Sequence, residues 1–251
     1  MKILNHKTLG SGDKKVLFLH ELMGDCRNYE PCLPYLDTTN FTYYFIDLRG
    51  YGLSKDIIGE YTCEEAANDI KNLITHLSLD EVYLVAHSMS TMIAQKIALI
   101  DKRIKKLILI TPISAAGIKM EQKAKEKMLD ELKQNDGKIE EIVESASKRY
   151  NQTWKEYRID MAYTSSTLDA RVGYMSMYLN TDFLEEAEEN INIPIKILVG
   201  KYDFPVFAKA NIQKIFSTYK DIHIEECQEC GHYPMIETPV YFATQIEKFI
   251  N

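Results

Sequence analysis

Ser88, Asp203 and His232 are three residues whose types could together do nucleophilic chemistry, and each stands where a strand-like run ends. Ser88 lies in Ala86-His87-Ser88-Met89-Ser90, after the apolar run Val82 to Ala86 and before a helical pattern that starts near Met89. A sharp strand-to-helix turn there lifts a hydroxyl above a sheet edge, beside a helix N-terminus, provided the flanking residues are small. Ala86 and Ser90 both are. A serine hydroxyl is a poor nucleophile at its own pKa and needs a base within hydrogen-bond reach. His232, in Cys230-Gly231-His232-Tyr233-Pro234, is the candidate base. Asp203, in Gly200-Lys201-Tyr202-Asp203, is the candidate acid that holds the imidazole tautomer and stabilises its charged form. The competing reading is a capping serine, a surface aspartate and a loop histidine.

The elements that must bring these residues together alternate along the chain. Val16-Leu17-Phe18-Leu19, Tyr43-Tyr44-Phe45-Ile46, Val82 to Ala86, Ile104 to Ile110 and Ile195 to Val199 read as buried parallel strands. Ile222 and Ile224 alternate as a strand does. Thr62, with Glu65 three residues on and Ile70, Leu73, Ile74 and Leu77 at helical spacing, announces a capped amphipathic helix. Met89 to Ile100 is helix-like, Pro205 starts a helix through Ile212, Ile215 and Phe216, and Thr238-Pro239 begins the last one. Such alternation predicts βαβ crossovers and a doubly wound sheet.

Between about 113 and 190 the strand pattern stops. Helical stripes replace it: Met120, Ala124, Met128 and Leu132, then Ile139, Ile142, Val143 and Ala146. An all-helical insertion is expected there, dividing a core of residues 1–112 and 191–251. The stretch from Tyr163 to Phe183, with Tyr174, Met175, Met177 and Tyr178, suits either a wall over a pocket or the insertion's own core.

The 251 residues, 45% apolar and 27% charged, fit a folded globular chain. A net charge of -7 gives no basic footprint for nucleic acid. No apolar run approaches the roughly 18 to 20 residues that span a bilayer, and no apolar signal core opens the chain, so a cytoplasmic location is expected. The five cysteines are an odd set that favours free thiols, and Cys227-Gln-Glu-Cys230 follows a strand rather than opening a helix, unlike a redox pair.

Five ordered pieces together resemble a cap-bearing α/β-hydrolase of the esterase, lipase and C-C hydrolase kind. They are Leu19 to Gly24, Asp47 to Ser54, Ala86 to Ser90, Gly200 to Asp203, and Gly231-His232 through Pro234, Glu237 and Pro239. The resemblance covers nearly the whole chain apart from the insertion, and its order of serine, acid and histidine is the one found here. It implies an α/β-hydrolase fold, a mostly parallel sheet with an inserted helical cap. It also places an oxyanion hole on the backbone N-H groups of Leu22 and Met89.

Two departures stand out. The usual G-x-S-x-G glycines are Ala86 and Ser90, and Glu21 occupies a position where glycine commonly follows the loop histidine. Glu21 either repels anionic substrates, bonds the resting nucleophile, or turns away into solvent. His20 and His87 are expected to shape the loop and fill space rather than act as bases, and Asp47 and Arg49 to make structural pairings.

The expectation is therefore a serine hydrolase cleaving small to medium carboxylic esters through an acyl-enzyme, with no metal or cofactor. Its partner is a small-molecule ester, with Glu21, Tyr174, Met175 and Tyr178 as candidate pocket residues and the oligomeric state left open. Thioesterase, C-C hydrolase, perhydrolase or acyltransferase chemistry on the same residues stays open, as does a ligand-binding receptor of slow or absent turnover.

Overall fold

Continuous apolar runs become buried strands of one sheet in the computed structural model, which describes residues 2–134, 137–147 and 149–251. The strands are β1 (His6–Gly10), β2 (Lys14–Leu19), β3 (Phe41–Ile46), β4 (Val82–His87), β5 (Ile104–Ile110), β6 (Ile195–Gly200) and β7 (Ile222–Cys227). Their order across the sheet is β1-β3-β2-β4-β5-β6-β7. All neighbours run parallel except β1 and β3. β1 is the strand that no apolar run announced: at the sheet's edge, His6-Lys7-Thr8-Leu9-Gly10 needs none.

Helices α1 (Cys63–His76) and α2 (Ser90–Ile100) follow β3 and β4. Between β5 and β6 come α3 (Gln122–Gln134), α4 (Lys138–Ser147), α5 (Gln152–Ser165), α6 (Leu168–Asn180) and α7 (Leu184–Asn190). α8 (Lys209–Ile215) precedes β7, and α9 (Pro234–Glu237) and α10 (Pro239–Ile250) end the chain. Thr62 caps α1 as expected, accepting from Glu65 N at 3.1 Å. The Glu65 carboxylate reaches further back than a capping box requires, to Glu60 N and Tyr61 N. The helix expected from Pro205 is broken: a turn of 3-10 helix, Pro205–Phe207, gives way at Ala208, whose ψ of 139° is extended, before α8 starts.

Side chains alternate between the two faces of the sheet. Along β2, Leu17 and Leu19 pack with Ile70, Met92 and Ile93, on the face covered by α1 and α2. Val16 and Phe18 pack with Tyr29, Phe242 and Ile246, on the face covered by α10. Both faces are thus sealed, which explains why the central strands read as unbroken apolar runs. β2 has β3 on one side and β4 on the other, so the chain's order reverses there. Loops leaving the carboxyl ends of β2 and β4 diverge at such a point and open a crevice. Among the described residues no helix is long and apolar enough to cross a membrane.

Candidate active site

Ser88 follows β4 directly, with φ at 51°, in the left-handed region that residues other than glycine seldom adopt. Its N-H donates to Ile110 O at 2.9 Å, tying the turn to β5. Ser90 stands where the resemblance has glycine, and its hydroxyl is used. It accepts from His87 N at 3.2 Å and lies 2.7 Å from His20 O, closer than to the carbonyls of His87 or Leu19. The turn is thereby bonded across to the loop after β2.

Asp203 and His232 stand on loops after the neighbouring strands β6 and β7. Gly200 is where those loops meet: a Cβ there would lie 2.0 Å from Gly231 O, so only glycine permits the approach. Lys201 N and Tyr202 N donate to Cys227 O and Cys230 O at 3.0 and 3.1 Å. His232 Nδ1 lies 2.9 Å from Asp203 Oδ1 and 3.0 Å from Oδ2. That bond puts the proton of the neutral ring on Nδ1 and leaves Nε2 as the basic atom. Glu237 holds the histidine's peptide from both sides, accepting from Gly231 N at 2.6 Å and Tyr233 N at 2.9 Å.

Burial of the His232 ring opposes its charged form, but the charge and hydrogen bond of Asp203, with Glu21 and Glu237 beyond, outweigh it and hold the pKa above the ordinary value. His87 behaves oppositely. Burial, and then the neighbouring His232, push its pKa well down, so it stays neutral. Its Nε2 donates to His232 O at 2.8 Å, a supporting contact and not one of a base.

The loop after β2 is shaped by His20, whose Nε2 accepts from Leu48 N at 3.1 Å, so that Nδ1 carries the proton and donates to Glu21 O at 2.8 Å. Tyr51 OH donates to Leu22 O at 2.9 Å. Glu21 is neither solvated nor bonded to Ser88. It is 3% exposed and accepts from Met23 N, from Asn28 Nδ2 at 3.0 Å and from Arg158 Nη2 at 3.2 Å.

Ser88, His232, Leu22 and Glu21 line one cavity of about 260 Å³. Most of its wall is apolar: Met120, Met128 and Ile142 from the segment between β5 and β6, with Phe204 and Phe207 from the loop after β6. Met175 and Tyr178 belong to that wall; Tyr174 does not. About 100° round α6 from Met175, Tyr174 packs instead against Tyr51 and Tyr61, with ring centroids 5.8 and 5.5 Å away. Met89 is fully buried at the head of α2, beside Ser88 in the chain. No hydrogen bond among the described residues joins the Ser88 hydroxyl to the His232 ring, although both face the cavity.

Arg158 and Asn28 went unnoticed in the sequence. The available signal was a charge inside a helical stripe, since Trp154, Arg158, Met161, Ala162 and Ser165 fall on one face of α5. Asp47 and Arg49 make structural pairings: Asp47 accepts from Cys26 N and Leu53 N, both at 2.8 Å, and Arg49 clasps Asp69 at 2.6 and 2.8 Å. All five cysteines are free and buried. A hydrogen bond with Cys230 brings the Cys227 thiol down to about 6 despite burial.

A family model described as serine aminopeptidase, S33, matches residues 10–239. The chain belongs to this S33 family of α/β hydrolases. Its S33 fold is shared by solved structures. An esterase from Exiguobacterium antarcticum superposes with a TM-score of 0.86 at 20% identity, covering 98% of this chain and 95% of that one. A bromoperoxidase from Bacillus anthracis gives 0.86 at 18%, covering 98% and 95%. The enol-lactonase from Burkholderia xenovorans LB400 gives 0.83 at 16%, covering 98% and 96%. Identities this low speak to the fold, and the family to a hydrolase.

Proposed function

We propose that this S33 hydrolase cleaves small to medium carboxylic esters through an acyl-enzyme, with Ser88 as nucleophile, His232 as general base and Asp203 as the acid that orients it. The observation that carries this is the His232–Asp203 bond on the wall of the cavity that Ser88 also lines, with Ser88 held at a positive φ. His232 Nε2 takes the serine proton as Oγ attacks the ester carbonyl, and the negative charge passes to the carbonyl oxygen. The backbone N-H groups of Leu22 and Met89 stabilise that oxyanion. Collapse expels the alcohol, which takes its proton from His232, and water repeats the sequence to free the acid.

Residues 113–190 are proposed as a cap over the core of 1–112 and 191–251, with Glu21, Met175 and Tyr178 among the pocket residues. A cavity lined mainly by apolar side chains, with Ser88 and His232 among the few polar ones, suits an aliphatic acyl chain. The names of the esterase and enol-lactonase neighbours agree with ester-bond chemistry.

A fluorophosphonate probe tests the reading. Wild-type protein should be labelled and the Ser88→Ala variant should not, and p-nitrophenyl esters should be turned over by the wild type alone. A folded wild type that resists the probe would overturn the assignment and favour a ligand-binding role.

A further inference from the structure

Arg158 comes from α5, yet its partners lie on the loops that carry the proposed machinery. Its side chain is 0% exposed. Nη1 donates to Asn28 Oδ1 at 2.6 Å, and Nη2 lies 3.2 Å from Glu21 Oε1 and 3.3 Å from Met23 O. The guanidinium carbon stands 4.1 Å from the centre of the Tyr233 ring. Glu21 and Met23 flank Leu22, and Tyr233 follows His232. One cation from the inserted helices therefore touches the neighbours of both the proposed oxyanion donor and the proposed base.

The network closes on itself. Glu21 accepts from Asn28 Nδ2 at 3.0 Å with one carboxylate oxygen and from Met23 N with the other. A buried ion pair adds little to stability, because the cost of removing both charges from water offsets their attraction, and apolar side chains of similar size often serve the fold as well. Directionality is what apolar replacements lack. A guanidinium fork fixes the angles of the groups it bonds, whereas a lysine at the same place supplies only a point charge.

We propose that Arg158 and Glu21 act as a positioning pair, through which the docking of α5 sets the Leu22 loop and the His232 loop in their working geometry. The inserted helices then complete the site as well as wall it. This rests on the reading of Ser88, His232 and Leu22 given above.

The test uses the full chain with Glu21→Leu/Arg158→Met, which removes both charges together and avoids leaving one buried alone. Circular dichroism reports folding, p-nitrophenyl butyrate gives kcat and KM, and a fluorophosphonate gives the rate of serine phosphonylation. The folded double variant should lose about 10- to 100-fold in kcat, as small misplacements do, with KM within about threefold and phosphonylation slowed in parallel. A folded double variant with kcat within about twofold of wild type overturns the pair's role. Should the double variant not fold, Arg158→Lys decides: a fall in kcat at constant KM supports the fork, and wild-type kcat overturns it. A wild type that is not phosphonylated overturns the proposal of Ser88 as an activated nucleophile, an outcome distinct from these.

Discussion

His232 Nδ1 and the Asp203 carboxylate meet at 2.9 and 3.0 Å, from loops that leave the carboxyl ends of adjacent strands. The contact joins chain segments that Gly200 alone allows to approach so closely. Replacing Asp203 by Asn keeps the shape but lets the ring adopt the other tautomer. The expected result is a fall in kcat on the order of 10⁴ at neutral pH, with an unchanged circular dichroism spectrum. Activity retained in Asp203→Asn would move the acid elsewhere.

The pH profile follows from the same contact. If His232 is the base, as proposed, it works as neutral imidazole, and activity is lost as pH falls through its pKa. Burial lowers that pKa, but Asp203, Glu21 and Glu237 raise it further, and His87 beside it stays neutral. The acidic limb of kcat/KM should therefore lie above the ordinary histidine value of about 6.5. Glu237→Gln should move the limb to lower pH, and an unmoved limb would remove Glu237 from that account. For stability the sign is opposite: a raised folded pKa contributes fully below the unfolded value and is lost as pH rises through the folded one.

Ser88 sits at φ 51°, a conformation that costs a residue with a Cβ about 1 kcal/mol or more. Ser88→Ala keeps that cost; Ser88→Gly removes it, at the expense of some chain entropy in the unfolded state. Both variants should be inactive, and the glycine variant should show the higher urea midpoint. Equal midpoints would mean that the turn is relaxed.

The apolar wall predicts how chain length is read. Ile142→Trp adds bulk within the cavity, away from Ser88 in the chain. Each excluded methylene is worth about 1 to 3 kcal/mol in such a pocket, so p-nitrophenyl octanoate should lose at least about 10-fold in kcat/KM while acetate changes little. An equal loss on both esters would place the acyl chain elsewhere.

Central strands were legible because both faces of the sheet are covered, which turns Val82 to Ala86 and Ile104 to Ile110 into unbroken apolar runs. β1 escaped because an edge strand needs no such run. That Ser88, Asp203 and His232 each follow a strand was legible too, because it is a property of chain order; their catalytic roles are the proposal made above. Arg158 was not legible, because a lone arginine between Tyr157 and Ile159 reads as solvated until its carboxylate partner, 137 residues away, is known to face it. Glu21 was singled out in the sequence but its partners were not, for the same reason: Arg158 comes from a distant helix. The division between Tyr174 and Met175, about 100° apart round α6, was not legible because both are buried and the sequence does not say which buried face meets the cavity.

The proposed catalytic side chains all stand on loops that follow strands of the sheet, while much of the cavity's wall is supplied by the stretch between β5 and β6. On that proposal, reactivity and much of the selectivity lie on different lengths of chain. Exchange of that stretch between relatives offers a route to new substrate ranges without rebuilding the catalytic groups, provided the incoming helices bring a cation to meet Glu21.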